Sequence, residues 1–325
     1  MIITQTPLRI SFAGGGTDFK GFYERETGAV VSTAIDKYIY VIVKERFDDL
    51  IRVGYTRTEM VESVSDIQHE LVREAMRMVG IDKGIEVSTM ADIPSEGSGL
   101  GSSSTVTVGL LNALHAYKGN AITAETLARQ ACEIEIGVLG KPIGKQDQYI
   151  AAYGGLRHFR FYANDEVEVN SIELDEGSRQ RLCESLLLFW TGTSRKSSDV
   201  LTEQRSNIQS KMPLLVEMRD QADELARLLK IGAIASLGQT LREGWMRKRQ
   251  LASGISNPQI DELFDLAMSA GALGGKVTGA GGGGFFLVCT PPENRAAVRK
   301  KLGHLRELPI NLSRDGSKVI FNVRR

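Results

Sequence analysis

Cysteine is scarce in this sequence, with three residues in a chain of 325 and no two of them close together. The spacing of Cys132, Cys183 and Cys289 argues against a disulfide framework and against a zinc knuckle. The same scarcity is typical of proteins that work in a reducing cytosol. We therefore expect a cytoplasmic protein in which each cysteine is a small core residue.

The chain also lacks net charge and long apolar runs. Forty basic residues balance forty acidic ones, so no overall field would attract nucleic acid or an anionic membrane. No apolar stretch approaches the roughly 20 residues of a membrane span, and the amino terminus has no signal-peptide pattern. We expect neither nucleic acid nor membrane as a partner, and any site for a polyanion must be local.

Glycine, by contrast, is abundant, with 34 residues, and 14 of them lie in three clusters: Gly14–Gly16, Gly97–Gly101 and Gly271–Gly284. The chain is long enough for two domains with a substantial core. Strand-like and helix-like patterns alternate irregularly in both halves, which predicts an α+β protein of two sandwiched domains. We place the boundary near Ser178, giving domains of residues 1–178 and 179–325.

The central glycine cluster has the pattern of a phosphate-binding loop. Residues 85–90 alternate like a strand, and residues 102–117 have helical spacing, so the loop from Pro94 to Thr105 opens a helix. Its glycines permit close backbone approach to an anion, and the helix start offers unpaired N–H groups and a positive dipole end. A flexible loop with an ordinary serine cap is the alternative, which a Gly/Ser run alone would favour.

Other segments lead to more local predictions. Tyr38–Val43 lacks alternation, which predicts a strand covered on both faces, with Ile51–Val53 as a partner. Tyr149–Tyr153 is predicted as a strand before the turn Gly154–Gly155. Thr123 is predicted to cap a helix that runs to about Leu139.

The three glycine motifs, in this order and spacing, resemble the superfamily of galactokinase, homoserine kinase, mevalonate kinase and phosphomevalonate kinase. The motifs are Pro7–Asp18, Pro94–Ser104 and Lys276–Gly284. Each motif alone is weak, but the ordered set is specific and covers nearly the whole chain. The resemblance implies a two-domain kinase fold, with an α/β amino-terminal ATP-binding domain (1–178) and a ferredoxin-like carboxy-terminal domain (179–325).

The resemblance also implies roles for particular residues. Asp147 would be the base or charge partner of the acceptor hydroxyl, with Arg9 beside it, and Ser103 and Glu135 would ligate Mg²⁺. ATP would contact Gly97, Ser98, Gly99, Leu100, Gly101, Ser102, Ser103 and Ser104. The acceptor would contact Gly15, Gly16, Thr17, Asp18, Arg195, Gly281 and Gly282. Without the motif order, Arg9, Glu135 and Asp147 would be interpreted as solvent-facing charges.

These residue types suit phosphoryl transfer, because that reaction depends on positioning and on neutralising charge with Mg²⁺, backbone N–H groups and cations. A carboxylate can accept the proton of the acceptor hydroxyl, and a neighbouring arginine would favour its charged form. The chain has neither a Gly-x-x-x-x-Gly-Lys-Ser/Thr loop nor His-Arg-Asp with Asp-Phe-Gly, so it is neither a P-loop protein nor a protein kinase.

Within the superfamily, Arg9–Asp18, Ser32–Tyr38 and Trp190–Arg195 resemble the D-glycero-D-manno-heptose phosphate kinases. Galactokinases usually carry Gly-Glu-His-Thr-Asp where this chain has Gly14–Asp18, which argues against galactose. The resemblance implies ATP- and Mg²⁺-dependent phosphorylation of the anomeric hydroxyl of heptose 7-phosphate, for nucleotide-activated heptose. At Thr191–Ser198 a strand is predicted to end and a helix to begin, so hydroxyls, two cations and free N–H groups gather there, and Arg195 would bind the distal phosphate. A serine cap with solvated Arg195 and Lys196 is the alternative. A kinase for fucose or another free sugar, a non-catalytic sugar and ATP sensor, and a homodimer all stay open.

Overall fold

The computed structural model describes residues 1–94, 97–193 and 197–323. The strands are β1 (Ile2–Ala13), β2 (Gly28–Glu45), β3 (Ile51–Gly54), β4 (Thr58–Val61), β5 (Ile85–Ala91), β6 (Leu156–Phe161), β7 (Val167–Ser171), β8 (Leu186–Trp190), β9 (Gly274–Val277), β10 (Phe285–Cys289), β11 (Arg306–Glu307) and β12 (Lys318–Asn322). The α-helices are α1 (Lys20–Tyr23), α2 (Glu70–Val79), α3 (Ser102–Lys118), α4 (Ala124–Cys132), α5 (Gln146–Tyr153), α6 (Glu176–Ser185), α7 (Ser197–Asn207), α8 (Met212–Lys230), α9 (Ser236–Lys248), α10 (Pro258–Ser269) and α11 (Arg295–Lys301).

The larger sheet has the order β12-β1-β2-β5-β3-β4, and β6 and β7 branch from β2. The long strand β2 makes this possible, because its first part pairs with β6 and its last part with β5, while β1 runs along its other edge. The closing strand β12 pairs antiparallel with β1. The end of the chain therefore returns to the sheet that carries the first glycine motif.

Helix α3 packs on this sheet against β1 and β2. Most of its residues from Ser102 to Leu114 are buried, as expected of a helix covered on several sides. The loop before the helix is joined to β1 by a backbone hydrogen bond from Arg9 N–H to Leu100 O, 3.1 Å long. This packing places the start of α3 beside the middle of β1.

The smaller sheet is antiparallel, with the order β11-β8-β10-β9. Its first strand in the chain lies between the last and the third, which is the arrangement of a ferredoxin-like domain. Helices α7 to α10 connect β8 to β9, and α11 connects β10 to β11. The predicted α+β class and the ferredoxin-like carboxy-terminal domain are confirmed.

The segment that follows β1 packs into the apolar core of the carboxy-terminal half. Phe19 and Phe22 belong to the buried apolar cluster that also holds Phe189, Trp245 and Phe286 of the carboxy-terminal half. The first glycine motif is thus held between the larger sheet and the helices of the smaller one. Residue 178 lies inside α6, and a division of the chain there stays a prediction.

Several local predictions were wrong. Tyr149–Tyr153 is helical, as part of α5, because a short apolar run does not by periodicity distinguish a helix from a strand. The last part of β2 alternates, with Ile39, Val41 and Val43 buried, so one face of the strand is only partly covered.

Two further predictions missed the pairing and the helix type. Ile51–Val53 pairs with β5 and not with β2. Thr123 does cap a helix, but α4 ends at Cys132 and continues as a π-helix, Glu133–Val138. None of the helices in the described parts of the chain is both long and apolar enough to cross a membrane.

Candidate active site

The loop before α3 has the geometry of an anion site. Gly97, Gly99 and Gly101 all adopt positive φ angles, of 69°, 73° and 78°. The first helical hydrogen bond runs from Thr105 N–H to Gly101 O, so the helix leaves the N–H groups of its first three residues without helical partners. These N–H groups and the positive helix end can bind a phosphate.

The second and third glycine motifs are in direct backbone contact. A Cβ atom at Gly99 would lie 2.5 Å from the carbonyl oxygen of Thr278, and one at Gly279 would lie 2.6 Å from Gly99 Cα. Ser98 O accepts hydrogen bonds from Phe285 N–H (3.2 Å) and from Thr278 Oγ1 (3.3 Å). Glycine is required at these points because a side chain would separate the two loops.

Arg9 and Asp147 form a bidentate ion pair at the edge of this loop. Arg9 Nε and Nη2 each donate to one carboxylate oxygen of Asp147 at 2.7 Å, and Nη1 donates to Gly99 O at 2.7 Å. The Asp147 side chain stays 24% exposed, whereas that of Arg9 is 5% exposed. The predicted proximity of the two residues is therefore present, and Arg9 is not a surface charge.

Two elements bring this pair together. Arg9 lies in β1 at an irregularity, where the register with β2 shifts between Pro7 and Arg9. Asp147 is the second residue of α5, so its carboxylate lies at the positive end of that helix. A Cβ at Gly101 would lie 3.4 Å from Asp147 Oδ2, which places the carboxylate directly beside the phosphate loop.

Ser103 and Glu135 form a second polar centre on the other side of the helix start. Ser103 Oγ donates to Glu135 Oε1 at 2.6 Å, and Gln148 Nε2 donates to Glu135 Oε2 at 2.8 Å. Lys141 Nζ lies 3.3 Å from Ser103 Oγ and 3.8 Å from Glu135 Oε1. Glu135 is fully buried, so the interpretation of it as a solvent-facing helix residue was wrong.

This second centre fits a Mg²⁺ ion. Burial raises the pKa of Glu135, and the nearby Lys141 acts in the opposite direction. A divalent cation would stabilise the charged carboxylate, and a carboxylate with a hydroxyl offers the hard oxygen ligands that Mg²⁺ prefers. Glu135 is carried by the π-helix, a local irregularity that is frequent at functional sites.

The first glycine motif forms a closed turn that faces α5. Both Asp18 oxygens accept hydrogen bonds, one from Gly16 N–H and the other from the backbone and side-chain amides of Gln146. Burial raises the pKa of Asp18, and the charge of Asp147 adds to the effect. Thr17 Oγ1 donates within the turn and to Ala29 O. These side chains shape the loop, and their contact with an acceptor stays a prediction.

Ser11 has an unused hydroxyl at the same turn. Its side chain is buried, and its Oγ has no hydrogen-bond partner among the described residues. A Cβ at Gly15 would lie 3.8 Å from this oxygen and 3.6 Å from Gln146 Nε2. The space above Gly15 is therefore bordered by polar groups that can bind a hydroxyl.

Two buried lysines enter the site from the carboxy-terminal half. Lys248, the last residue of α9, donates from Nζ to Gly279 O. Lys276, from β9, donates to Ser11 O at 3.0 Å and to Phe12 O at 3.4 Å. Lys248 has no sequence signal, since a lysine near a helix end usually faces solvent. Lys276 is part of the third motif, but nothing in the motif itself assigns it a role.

The remaining predicted residues are distributed as follows. Gly282 N–H donates to Ile255 O, and a Cβ at Gly281 would lie 2.7 Å from the same oxygen. Ser98 and Ser102 share a hydrogen bond of 2.9 Å between their hydroxyls, and Leu100 is buried. The prediction for Arg195 lies outside the described residues.

Two family models match the parts of the chain that carry the second and third glycine motifs. Residues 66–155 match the family model "GHMP kinases N terminal domain", and residues 223–305 match "GHMP kinases C terminal", which together cover more than half of the chain.

Individual proteins are similar over nearly the whole chain. The D-glycero-alpha-D-manno-heptose 7-phosphate kinase of Campylobacter jejuni is 29% identical, over 98% of this chain and 98% of its own. The L-fucokinase/L-fucose-1-P guanylyltransferase of Bacteroides fragilis is 26% identical, over 92% of this chain and 35% of its own. The crystal structure of a D-glycero-D-manno-heptose 1-phosphate kinase from Bacteroides thetaiotaomicron matches with a TM-score of 0.84 and 26% identity, covering both chains completely.

Proposed function

The chain belongs to the GHMP kinases, and on that premise we propose that it phosphorylates the anomeric hydroxyl of D-glycero-D-manno-heptose 7-phosphate with ATP. The product would be the 1,7-bisphosphate, for use in making nucleotide-activated heptose. The observation that carries the proposal is the Arg9–Asp147 ion pair, which links the first glycine motif, where Arg9 lies, to the phosphate loop at Gly99 and Gly101.

In this function the phosphate loop binds the ATP phosphates. The unpaired N–H groups at the start of α3 and the backbone of Gly97–Gly101 would hold phosphate oxygens. Ser103 and Glu135 would hold Mg²⁺ together with the nucleotide, and the ion would neutralise charge on the phosphates. The close contact of Gly99 with Gly279 gives this loop a fixed position.

Asp147 is the residue best placed to act on the acceptor. Its carboxylate would accept the proton of the acceptor hydroxyl as the new bond to phosphorus forms. Arg9 fixes the carboxylate with two hydrogen bonds and links it to the phosphate loop through Gly99 O. Such fixed geometry supplies much of the rate in phosphoryl transfer.

A polyhydroxylated acceptor suits the first glycine motif. Ser11 Oγ has no partner among the described residues, and a buried hydroxyl without a partner is unfavourable. A sugar hydroxyl above Gly15 would satisfy it. The likeness to two heptose phosphate kinases favours a heptose phosphate as this sugar.

The test is a panel of acceptors assayed for ADP release: heptose 7-phosphate, free heptose, fucose, galactose and mevalonate. We expect turnover to be fastest with heptose 7-phosphate, and a new signal for an anomeric phosphate in the phosphorus NMR spectrum. Equal or faster turnover of a free sugar would contradict the assignment.

A fucose kinase is the second candidate, since the similar Bacteroides fragilis protein is named as an L-fucokinase. In that case fucose would be the fastest acceptor in the same panel. ATP binding without ADP release from any acceptor would favour a sensor over both kinases.

A further inference from the structure

Lys248 is an unusual residue for the interior of a protein. Its side chain is buried, and among the described residues its ammonium has one hydrogen-bond partner, the carbonyl oxygen of Gly279. An ammonium has three N–H donors, so two of them have no protein partner in the described parts of the chain. A buried cation without a carboxylate in contact is costly to keep.

Lys248 lies close to the groups that are proposed to react or to bind the substrates. The charges of Arg9, Asp18 and Asp147 act on it electrostatically, and its own charge acts on Lys276. Its partner Gly279 lies against Gly99, the residue whose carbonyl oxygen accepts from Arg9. Lys248 is therefore at the junction of the phosphate loop, the Arg9–Asp147 pair and the first glycine motif.

We propose that Lys248 is a catalytic residue whose ammonium binds the phosphoryl group while it passes from the nucleotide to the acceptor. The inference rests on the proposed kinase function and adds a cation from the carboxy-terminal domain to that site. In the transfer, the bond from the γ-phosphorus to the β–γ bridging oxygen breaks, and a bond to the acceptor oxygen forms. The acceptor proton passes to Asp147, ADP leaves with the bonding electrons, and Lys248 keeps its proton throughout.

The neighbouring lysine does not fit this role. Lys276 is also buried, but its ammonium donates to two carbonyl oxygens of β1, those of Ser11 and Phe12. It therefore joins the third motif to the strand of the first motif. Of the two lysines, Lys248 is the one that has two N–H donors without a protein partner in the described parts of the chain, and the charges of Asp18 and Asp147 act on it.

The experiment compares the wild type with Lys248→Met and Lys248→Arg, using ATP, Mg²⁺ and heptose 7-phosphate. We expect Lys248→Met to lower kcat by about 100-fold or more, as loss of one group that stabilises transition-state charge does. KM for both substrates should stay within about threefold, because the contact strengthens only during transfer. Lys248→Arg should retain more activity than Lys248→Met.

Two readouts besides turnover separate this role from a structural one. The melting temperature of Lys248→Met should equal or exceed that of the wild type, because a buried unpaired cation is replaced by an apolar chain of similar length. Binding of MgADP with aluminium fluoride and heptose 7-phosphate, measured by calorimetry, should weaken in Lys248→Met, while binding of MgADP alone should not. Lys230→Met, at the exposed end of α8, is the matched control and should change none of these quantities.

Each outcome has one meaning. If Lys248→Met keeps kcat within about threefold of the wild type, the Lys248 proposal is overturned and the kinase function stands. If only KM for heptose 7-phosphate rises, Lys248 binds the distal phosphate of the acceptor, which also overturns the proposal. If the wild type releases no ADP with any acceptor, the proposed function fails and the role of Lys248 fails with it.

Discussion

The two halves of the molecule contribute charge to the site in different ways. On the side of the larger sheet, Arg9 and Asp147 form a matched pair, in which each charge has its counter-charge in contact, with two hydrogen bonds of 2.7 Å between them. On the side of the smaller sheet, Lys248 and Lys276 are buried and donate to backbone carbonyl oxygens. The charges of Arg9 and Asp147 neutralise each other within the protein, whereas the two lysines lack carboxylate contacts among the described residues.

This difference indicates how the work is divided. A matched pair is held in one geometry before any ligand arrives, which suits the positioning of a proton acceptor. A buried cation without a counter-charge is stabilised only when an anion binds. Such a cation suits the binding of a phosphoryl group during its transfer between substrates. The glycine contact between residues 99 and 279 is the place where the two sides meet.

The largest effect should come from breaking the matched pair. Asp147→Asn should lower kcat by about 1,000-fold, or roughly 4 kcal/mol, because the acceptor loses its proton acceptor and Arg9 loses its counter-charge. ATP binding, measured by calorimetry, should be unchanged, since the phosphate loop is intact. Asp82→Asn, an exposed acid before β5, should behave like the wild type. Near-normal turnover of Asp147→Asn would remove the residue from the mechanism.

The buried Lys248 should change how the free energy of unfolding depends on pH. Burial, and then the charge of Arg9, lower the pKa of Lys248 to about 8 from 10.5, while Asp18 and Asp147 oppose the shift. Burial, and then the charge of Lys248, also lower the pKa of Lys276, so replacing Lys248 removes one cause of that shift. Because the unfolded chain binds the Lys248 proton more tightly, this lysine makes folding more favourable as pH rises from about 8 to 10.5.

Between pH 7 and 10, the unfolding free energy of the wild type relative to Lys248→Met should therefore rise by about 2 to 3 kcal/mol. This difference in unfolding free energy is measured by urea unfolding of both proteins at several pH values. In Lys230→Met the difference from the wild type should stay flat. Parallel curves for the wild type and Lys248→Met would show that Lys248 keeps an ordinary titration in the folded protein.

Gly99→Ala should disrupt the backbone contact between the phosphate loop and the third glycine motif. The new Cβ would lie 2.5 Å from Thr278 O at a φ of +73°, so we expect a loss of about 2 kcal/mol in unfolding free energy. ATP affinity should fall as well, because the phosphate loop is displaced. Gly137→Ala is the matched control, since a Cβ there has nothing within 4 Å among the described residues. Equal stability of the two variants would show that the loop contact tolerates a side chain.

The smallest effect concerns Glu135, the buried anion of the larger-sheet side. Glu135→Gln should raise the Mg²⁺ concentration for half-maximal ADP release by about tenfold, or roughly 1.4 kcal/mol, because one charged oxygen ligand is lost. Glu133→Gln lies in the same π-helix with an exposed side chain, and it should leave the Mg²⁺ requirement unchanged. A wild-type requirement in Glu135→Gln would exclude that carboxylate as a ligand.

Local pattern was sufficient for much of the fold. The strand at residues 85–90, the glycine loop and the helix at residues 102–117 can be predicted, because alternation, glycine and helical spacing are properties of neighbouring residues. The segment 149–153 was predicted wrongly, since a short apolar run suits either a strand or a helix. Its helix has Tyr149 and Tyr153 on one face, where both donate to Glu125, a contact that depends on α4 packing beside α5.

Motif order pointed to Arg9, Ser103, Glu135 and Asp147, and the structure brings them together in the two pairs that the prediction required. Their chemical roles stay predictions, as does that of Arg195.

The sequence contains the phosphate loop and the order of its glycine motifs, because those depend on residues that are adjacent in the chain. Lys248 could not be found in this way. It lies 101 residues after Asp147 and 239 after Arg9 in the numbering, at the end of a helix where lysine is ordinarily solvated. Only the packing of α9 against β9 and the third glycine motif turns its side chain inward. Burial and the nearness of distant charges are properties of the assembled fold, so the cation of the smaller-sheet side was decided by tertiary structure.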